Sequence, residues 1–523
     1  MADEISRSLK LNRNLTNNLE KAIQMDRAIK IGWGSQGDAK PKEGEIGIAP
    51  HLPEGARIRL LGNLGDFTSA CSKGGTFTLE GNALGWFGAW NSGGTLVVER
   101  DVASRCGHGM SAGRIFVHGS VTDDAGGSMS GGELIVRGHT GRRLGIGMAD
   151  GLIVVIGDCN ADAGQGMTGG RIIVDGRCLP EGEGAKQRQL TKAEHKEISG
   201  LLKEHDQKIS TDAIVIESDS DNTIPSNAPE EVVWGDFSDI GIMSGDTPLD
   251  TSSPIDVITL MTRGEEDEGI VFPLPVLPRV DSGKGLNGLL LSNQPCLVKS
   301  DPRPIDIVCI DSENILHADS LLSAGGGLLL DLDGLPPLFD GEVAGLLTAL
   351  RCHLGEEFPV LIAGRVDRVN NLHRMASDQE IDAVLIRIAT PAAMSAAATL
   401  PRVGLSARDA GVTDSVIQIL DLPWNAKSDD VVISIAAGCG LISADPFSEL
   451  ESIPSTQKAR AEALESWLSS FAANLRGRMT DLGIDALEKL TRRNLRALEH
   501  ETAAQSGLRL AGYDRPLPQW LGQ

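Results

Sequence analysis

A repeat of 19 residues governs the first third of the sequence. A two-residue, glycine-rich step recurs at that spacing without a slip, at Gly74-Gly75, Gly93-Gly94, Ala112-Gly113, Gly131-Gly132, Asp150-Gly151 and Gly169-Gly170. Four units also place a methionine three residues after a glycine, and these methionines are Met110, Met129, Met148 and Met167. A fixed period of this length is typical of architectures built from stacked equivalent units.

Short runs of alternating polar and apolar residues lie between the glycine steps, at 76–79, 95–98, 114–117, 133–136 and 171–174. Alternation with a period of two predicts strands that bury one face. A unit of 19 residues is too short for two packed helices, and its glycines would weaken a helix. The pattern therefore predicts a right-handed parallel β-helix over residues 55–186, with glycines at its corners and the methionine column packed inside.

Charge and composition exclude several classes of partner. The chain has 48 Lys+Arg against 72 Asp+Glu, a net charge of -24, which disfavours binding to nucleic acid or to an anionic membrane surface. No apolar run approaches the roughly 18 residues of a membrane span, and the first residues have no apolar signal core. We expect a cytoplasmic protein.

Cysteine and histidine spacing gives no metal site. The eight cysteines include no CxxC motif and no close pair in sequence, so we interpret them as small buried apolar side chains. His108, His118 and His139 stand at different positions of the repeat, which favours surface or corner roles. No nucleophile elbow, phosphate loop or zinc motif is present, and no catalytic residue is assigned.

The second half has a different composition. Strand-like runs at 255–260, 305–310, 328–332, 360–363, 383–388, 416–420 and 431–435 alternate with helical segments, notably 341–353 and 369–377. Such alternation predicts a parallel sheet, either open or closed into a barrel.

The domain boundaries follow from these changes in pattern. We predict an N-terminal arm at 1–54, the β-helix at 55–186, a helix and acidic linker at 187–231, a degenerate α/β barrel-like domain at 232–456 and a helical tail at 457–523. Thr191 and Glu194 form a capping box that opens the linker helix. The tail is predicted to be helical at 461–478 and 485–505.

The repeat resembles the GXGXG β-helix domain at the C-terminus of glutamate synthase large subunits. The same domain forms a separate chain in N-methylglutamate synthase and in formylmethanofuran dehydrogenase. Residues 103–110, ASRCGHGM, look closest to the N-methylglutamate synthase type. The resemblance implies that the β-helix is a spacer and assembly surface and that the chemistry lies elsewhere.

Residues 359–389 are similar to a late β/α unit of flavin-binding (β/α)8 barrels. That resemblance implies that Gly364 and Arg365 hold the phosphate of FMN, since a helix start offers free N–H groups. A strand-glycine-helix turn without any ligand is the alternative. Residues 484–520 look like the closing helices of glutamate synthase-like flavin proteins.

Several signatures of that family are missing. The chain has no T-G-E-G-G or G-H-D-G-G-T-G loop and no C-x5-C-x4-C motif. Where the iron–sulfur cysteines would fall, Cys439 stands alone, and one thiolate cannot hold a cluster that needs three. Ala2, not a nucleophilic cysteine, follows Met1, so we expect the chain to lack the glutaminase half. We expect a degenerate FMN-type domain without an iron–sulfur cluster.

Three functions fit these features. The first is a component of a glutamate synthase-like oxidoreductase of glutamate biosynthesis and nitrogen metabolism, with FMN as its cofactor. The second is a non-catalytic scaffold that organises separate amidotransferase (glutaminase) and flavin subunits, in a homo- or hetero-oligomer. The third, an assembly protein like the GXGXG chain of formylmethanofuran dehydrogenase, explains only the first 200 residues.

Overall fold

The computed structural model describes residues 2–33, 44–203, 206–219, 235–245, 248–262, 269–286, 293–352, 354–355, 357–388, 395–448, 450, 453–513 and 515. The chain forms two compact units. The first, the coil unit, comprises Met1–Asn227 and Phe339–His353. The second, the barrel unit, comprises Ala228–Leu338 and Leu354–Gln523.

The α-helices are α1 (Ala2–Gln24), α2 (Lys192–Lys203), α3 (Ala318–Ala324), α4 (Asp340–Leu350), α5 (Val369–Gln379), α6 (Ala396–Asp409), α7 (Ser428–Ala436), α8 (Gln457–Leu482) and α9 (His500–Ser506). The strands of the coil unit are β1 (Ile29–Ile31), β2 (Arg57–Leu61), β3 (Lys73–Glu80), β4 (Ser92–Val98), β5 (Ala112–Val117), β6 (Ser130–Val136), β7 (Asp150–Val155), β8 (Arg171–Val174), β9 (Ala185–Gln189) and β10 (Ile214–Ser218).

The strands of the barrel unit are β11 (Ile240–Ile242), β12 (Thr259–Thr262), β13 (Gly269–Phe272), β14 (Val276–Pro278), β15 (Leu297–Val298), β16 (Ile307–Ile310), β17 (Gly327–Asp331), β18 (Val360–Arg365), β19 (Ala383–Arg387), β20 (Ile417–Asp421), β21 (Leu441–Ala444), β22 (Leu495–Ala497) and β23 (Arg509–Leu510). Short 3₁₀ turns occur at Ile315–His317, Val366–Arg368, Leu487–Lys489 and Arg492–Asn494. Among the described residues, no helix is both long enough and apolar enough to cross a membrane.

The repeat produces one ten-stranded sheet. Strands β1 to β8 pair in parallel, each with the next, and from β2 onward partners such as Phe77 and Leu96 are separated by the repeat length. A second column of parallel bridges follows the same offset, from Leu64 and Ala83 down to Cys159 and Cys178. β10 then joins antiparallel between β8 and β9. All five strands predicted in the repeat are confirmed.

The inward side chains form a continuous apolar core along these strands. Met110, Met129, Met148 and Met167 lie in it, none more than 2% exposed, which confirms that this column is interior packing. Burial of each such side chain contributes roughly 1.5–3 kcal/mol. Close approach of consecutive turns explains the glycine steps: at Gly94 (φ +78°), an added Cβ would lie 2.3 Å from the carbonyl oxygen of Gly74.

An aromatic stack lies at the early turns of the coil unit. The rings of Phe67, Trp86 and Trp90 lie nearly parallel and all contact one another, with centroid distances of 5.1, 5.6 and 6.0 Å. His108 packs edge-on against Trp86 at 4.9 Å, and the guanidinium of Arg105 lies 4.7 Å above the same ring. His108 is thus buried rather than at the surface, because two indole rings cover it, whereas His139 is exposed.

Helix α4 covers this stack, although its place in the chain is between barrel strands. Glu342 accepts a hydrogen bond of 2.8 Å from Nε1 of Trp86 and lies 3.7 Å from Arg105. Gly47 allows the helix to approach closely, since an added Cβ there would lie 2.6 Å from the backbone nitrogen of Ala349. Residues 342–350 of the helix are all buried, as expected for an apolar helix enclosed on every side.

Eight parallel strands form a nearly closed barrel in the second unit. The order is β14-β21-β20-β19-β18-β17-β16-β15, and two further bridges, Arg279 to Leu297 and Ser282 to Ser300, join the two ends. Alternating inward side chains such as Leu329, Leu361 and Leu385 fill its interior. This arrangement confirms the predicted parallel sheet closed into a barrel, with mixed α/β character.

Two predictions about secondary structure were wrong. Residues 431–435, predicted as a strand, belong to helix α7, and the strand that follows is β21 at Leu441–Ala444. Residues 485–505, predicted as one helix, contain two 3₁₀ turns, β22 and the short α9, because β22 pairs with β11. Helix α2 confirms the capping box, with Thr191 N donating to Glu194 Oε2 at 2.9 Å. Most of the acidic linker, at 220–231, lies outside the described residues.

Candidate functional site

Polar side chains collect where the barrel strands end. Asp331, Arg387 and Asp421 are the last residues of β17, β19 and β20. Because all eight strands are parallel, their carboxyl ends lie at one rim, which is where barrels of this kind place their ligand sites. We call this rim and its residues the barrel mouth.

Arg387 is the centre of an ionic network at the mouth. Its two terminal nitrogens each lie 2.8 Å from one oxygen of Asp331, and Nη1 also lies 2.9 Å from Asp333. Burial lowers the pKa of Arg387, but the hydrogen bonds to Asp331 and the attraction of both carboxylates outweigh burial and raise it above its usual value. The pKa of Asp333 is raised by burial, although Arg387 opposes that shift. The guanidinium is therefore permanently charged and firmly held.

A second ion pair joins the first and seventh strands of the barrel. Arg279 follows β14 and hydrogen-bonds Asp421, and its Nη2 donates to the carbonyl of Leu422 at 3.2 Å. Burial lowers the pKa of Arg279, with Asp445 raising it and Arg387 lowering it further. Asp421 is 6% exposed, so this pair is largely shielded from solvent.

Cys309, Asp311 and Asp331 form the one group of metal-ligand type found in the described residues, with ligand atoms within 4.8 Å of one another. Both carboxylates already have cations: Lys299 Nζ lies 2.6 Å from Asp311 Oδ2, and Arg387 binds Asp331. Burial, together with the two carboxylates, raises the pKa of the Cys309 thiol to about 12. The group is therefore a neutralised ionic cluster with a protonated thiol.

A pocket of about 430 Å³ opens at the mouth. That volume lies within the range of small-molecule sites. One wall is apolar and includes Leu286, Phe447 and Ile453. The polar lining comprises Arg279, Asp281, Ser282, Lys284, Lys299, Asp331, Arg387, Asp445, Gln457 and Arg460.

Two cations of this lining differ from the others. Within the described part of the chain, neither the ammonium of Lys284 nor the guanidinium of Arg460 has a carboxylate within ion-pair distance, and Arg460 Nε donates to the carbonyl of Pro454 at 2.7 Å. In a chain of net charge -24, two such cations beside an apolar wall are suited to an anionic ligand. No spacing in the sequence pointed to them, because they lie in separate segments that the barrel brings together.

Gly364 and Arg365 lie at the same rim, beside Ile386 and Arg387 of β19, but outside the pocket. They end β18, the fifth barrel strand, and neither lines the mouth pocket as the structure describes it. An added Cβ at Gly364 would lie 3.0 Å from the side chain of Leu372, so the glycine makes room for helix α5. The guanidinium of Arg365 lies 3.4 Å from Asp367. This turn has a packing explanation that requires no phosphate.

The start of helix α7 was the other place to test for an FMN phosphate, because barrels often hold phosphate after the seventh and eighth strands. There Asp430 accepts hydrogen bonds from Lys427 N at 2.8 Å and from Trp424 Nε1 at 3.2 Å. Two carboxylates, Asp429 and Asp430, thus lie in the first turn of that helix, where their charge opposes binding of a phosphate. Among the described residues of the mouth, Lys284 and Arg460 are best suited to bind an anionic group.

Residues 45–223 match the family model of the GXGXG motif. No curated protein matches the sequence. Matches among solved structures include the recombinant flavin-binding domain of baker's yeast flavocytochrome b2, at 12% identity over 50% of this chain and 76% of that one, with a TM-score of 0.37. A soluble mutant of the membrane-associated (S)-mandelate dehydrogenase from Pseudomonas putida has 12% identity over 50% and 88%, with a TM-score of 0.33. The assignment of the barrel rests on its own strand pairings.

Proposed function

We propose that the chain is a subunit of a glutamate synthase-like oxidoreductase, whose barrel binds a small organic anion but transfers no proton or electron itself. The mouth pocket carries this proposal. Its strand-end carboxylates, Asp331 and Asp421, are tied to arginines, and the Cys309 thiol stays protonated. General acid–base or nucleophilic chemistry needs a group that is free to exchange a proton or attack, whereas these carboxylates are held in ion pairs and the thiol is not ionised. Lys284 and Arg460 remain able to bind an anion.

The coil unit supports the oxidoreductase part of the proposal. The GXGXG model matches 45–223, and two columns of parallel pairing repeat with the same offset, so we propose that these residues form a parallel β-helix. Such a stack presents a long regular surface suited to assembly. In this proposal separate amidotransferase and flavin subunits assemble on it.

A second candidate function is FMN binding at the same pocket, favoured by the apolar wall of Phe447 and Ile453 next to the two cations. An isoalloxazine ring needs an apolar surface, and a phosphate needs cations. Lys284 and Arg460 would then hold the phosphate. A bound flavin would supply hydride transfer, which no side chain of the mouth can supply.

Titration of the full-length chain separates these candidates. We expect glutamate or inorganic phosphate to bind in calorimetry, and the double variant Lys284→Ala/Arg460→Ala to weaken binding about tenfold to a hundredfold, since a charge-assisted contact contributes roughly 1.5–3 kcal/mol. Arg365→Ala is the matched control and should bind normally. Binding that depends on Arg365 instead would contradict the proposal.

FMN titration, followed by quenching of flavin fluorescence, decides between the two roles of the pocket. Saturable quenching that the double variant loses would establish the second candidate. Anion binding without flavin binding would support the first proposal, in which the barrel binds an anion but carries out no redox chemistry. If neither FMN nor a small anion binds, the barrel is a scaffold only, and the proposed pocket function is wrong.

A further inference from the structure

Two cysteines lie opposite each other in consecutive turns of the coil unit. Cys159 and Cys178 are direct partners in a parallel bridge at the end of the column that begins with Glu45 and Leu64. Directly opposed residues of neighbouring parallel strands stand about 4.8 Å apart with their side chains on the same face. A disulfide requires a Cα separation of about 4.4–6.8 Å. The backbone therefore already meets the main geometric condition for a disulfide.

We propose that Cys159 and Cys178 are a redox modification site, at which a reversible disulfide links the last two turns of the repeat. The two thiols differ in exposure: Cys159 is 2% exposed, whereas Cys178 is half-buried and reaches solvent. The remaining described cysteines are all buried, so Cys178 is the accessible member of the set. Gln187 Nε2 donates to the Cys178 sulfur at 3.7 Å and keeps that side chain in place.

The two thiols interact directly before any oxidation. A hydrogen bond from Cys178 lowers the pKa of Cys159, although burial opposes the shift, and the same contact with burial raises the pKa of Cys178. Each sulfur also donates weakly to a neighbouring carbonyl, Cys159 to Asn160 at 3.4 Å and Cys178 to Leu179 at 3.3 Å. The lowered pKa suits Cys159 to act, as its thiolate, as the thiol that attacks a mixed disulfide on Cys178.

The oxidant is a low-molecular-mass disulfide of the glutathione class. The accessible Cys178, as its thiolate, attacks one sulfur of that disulfide, which breaks the S–S bond and releases one thiol. Cys159, as its thiolate, then attacks the Cys178 sulfur and releases the second thiol. The protein pair gives up two protons and two electrons, and the oxidant takes up both. Because the pKa of Cys178 is raised, the first step is the slow one.

The cross-link has a measurable consequence for stability. It closes the short loop between the two cysteines, which restricts the unfolded chain. We expect oxidation of the full-length chain to raise the thermal midpoint of the coil unit by roughly 5–10 °C, and dithiothreitol to reverse it.

Peptide mass spectrometry tests the assignment. The full-length chain is incubated with oxidised glutathione, unfolded in the presence of iodoacetamide and digested. We expect a peptide pair joined through Cys159 and Cys178, while Cys106 and Cys439 are alkylated. Alkylation of both Cys159 and Cys178 after oxidation would overturn the proposal, and so would a stable glutathione adduct on Cys178 of the wild type.

Two variants separate the exchange steps from any effect on folding. Cys159→Ala should trap one glutathione on Cys178, because the resolving thiol is missing. Cys178→Ser should take up no glutathione and show no thermal shift on oxidation. The control Cys439→Ser, at a buried lone thiol of the barrel unit, should behave like the wild type. A Cys159→Ala variant that takes up no glutathione would show that Cys178 is not the entry point and would refute the scheme.

Discussion

At the scale of single residues, His108 is a buried titratable group of the coil unit whose environment disfavours its charged form. It packs against Trp86 and Trp90, and its Nδ1 has no hydrogen-bond partner in the described structure. Burial, with repulsion from Arg105, lowers its pKa from 6.5 to about 4, and Asp124 opposes the shift in part. The folded protein thus holds this imidazole neutral at a pH where the unfolded chain would protonate it.

We therefore predict that His108 destabilises the protein in acid. Because the pKa of His108 is lower in the folded state than in the unfolded chain, the free energy of unfolding is highest above pH 6.5. It decreases as the pH falls from 6.5 to about 4, where the unfolded chain binds the proton more readily. The full loss is about 3 kcal/mol. Urea unfolding, followed by tryptophan fluorescence between pH 7.5 and 4, should show this loss in the wild type and a flatter dependence in His108→Gln.

The matched control is His139→Gln, at an exposed side chain of the same sheet. Asp66 has to be taken into account, because burial raises its pKa to about 6, with Gly85 opposing the shift and Glu342 adding to it. A raised carboxyl pKa makes the protein lose stability as the pH rises from about 4 to 6, the opposite direction. The comparison is therefore between variant and wild type at each pH. Equal loss of stability in acid for His108→Gln and the wild type would contradict the prediction.

The residues of the mouth show what a sequence can and cannot predict about a site. Gly364 and Arg365 were predicted as phosphate contacts because strand, turn and helix are contiguous in the sequence, a pattern that local reasoning detects, but they lie outside the pocket. Arg279 and Asp421 are separated by 142 positions, and only closure of the barrel brings them together. No local spacing records such a pair. The same holds for Lys284 and Arg460, whose importance depends on which cations lack a carboxylate partner.

At the scale of elements, the strands of the repeat were predictable because each unit of 19 residues carries the same information. Strand, glycine step and inward methionine recur in register, so an error in one turn is corrected by the next. Helix α7 had no such support. Its Val431, Val432 and Ile433 favour a strand by propensity, but the chain must cross from the end of β20 to the start of β21, and a helix makes that connection. Tertiary context decided the outcome.

Deletion of one whole turn is the test at this scale. Removal of residues 131–149 joins Ser130 to Asp150 and presents each strand with an equivalent neighbour, because partners across β5, β6 and β7 share one offset. We expect a folded protein with a thermal midpoint within about 5 °C of the wild type. Removal of 131–140 alone shifts inward side chains to the outside and should abolish the cooperative melt of the coil unit. If the two deletion variants have the same thermal midpoint and cooperativity, the repeat units are not equivalent.

At the scale of the whole molecule, the two units are interleaved in the sequence. Helix α4 follows barrel strand β17 in the chain but belongs to the coil unit, where Glu342 bonds Trp86 and Ala344 packs with Ile5 and Ile46. The helix itself was predicted from its sequence pattern. The unit in which it packs was not predicted, because the sequence of an apolar helix does not indicate which core encloses it.

This interleaving predicts that a cut between residues 227 and 228 does not give a stable coil unit. A fragment of residues 1–227 lacks α4, so the stack of Phe67, Trp86 and Trp90 loses its cover. We expect that fragment to melt at least about 10 °C below the coil unit of the full chain, since loss of several buried side chains costs several kcal/mol. A synthetic peptide of residues 339–353 should restore the midpoint and blue-shift the tryptophan emission. A peptide of residues 369–379, which forms α5 of the other unit, is the matched control and should do neither. A fragment that melts like the full chain without the peptide would show that α4 contributes nothing to the coil unit.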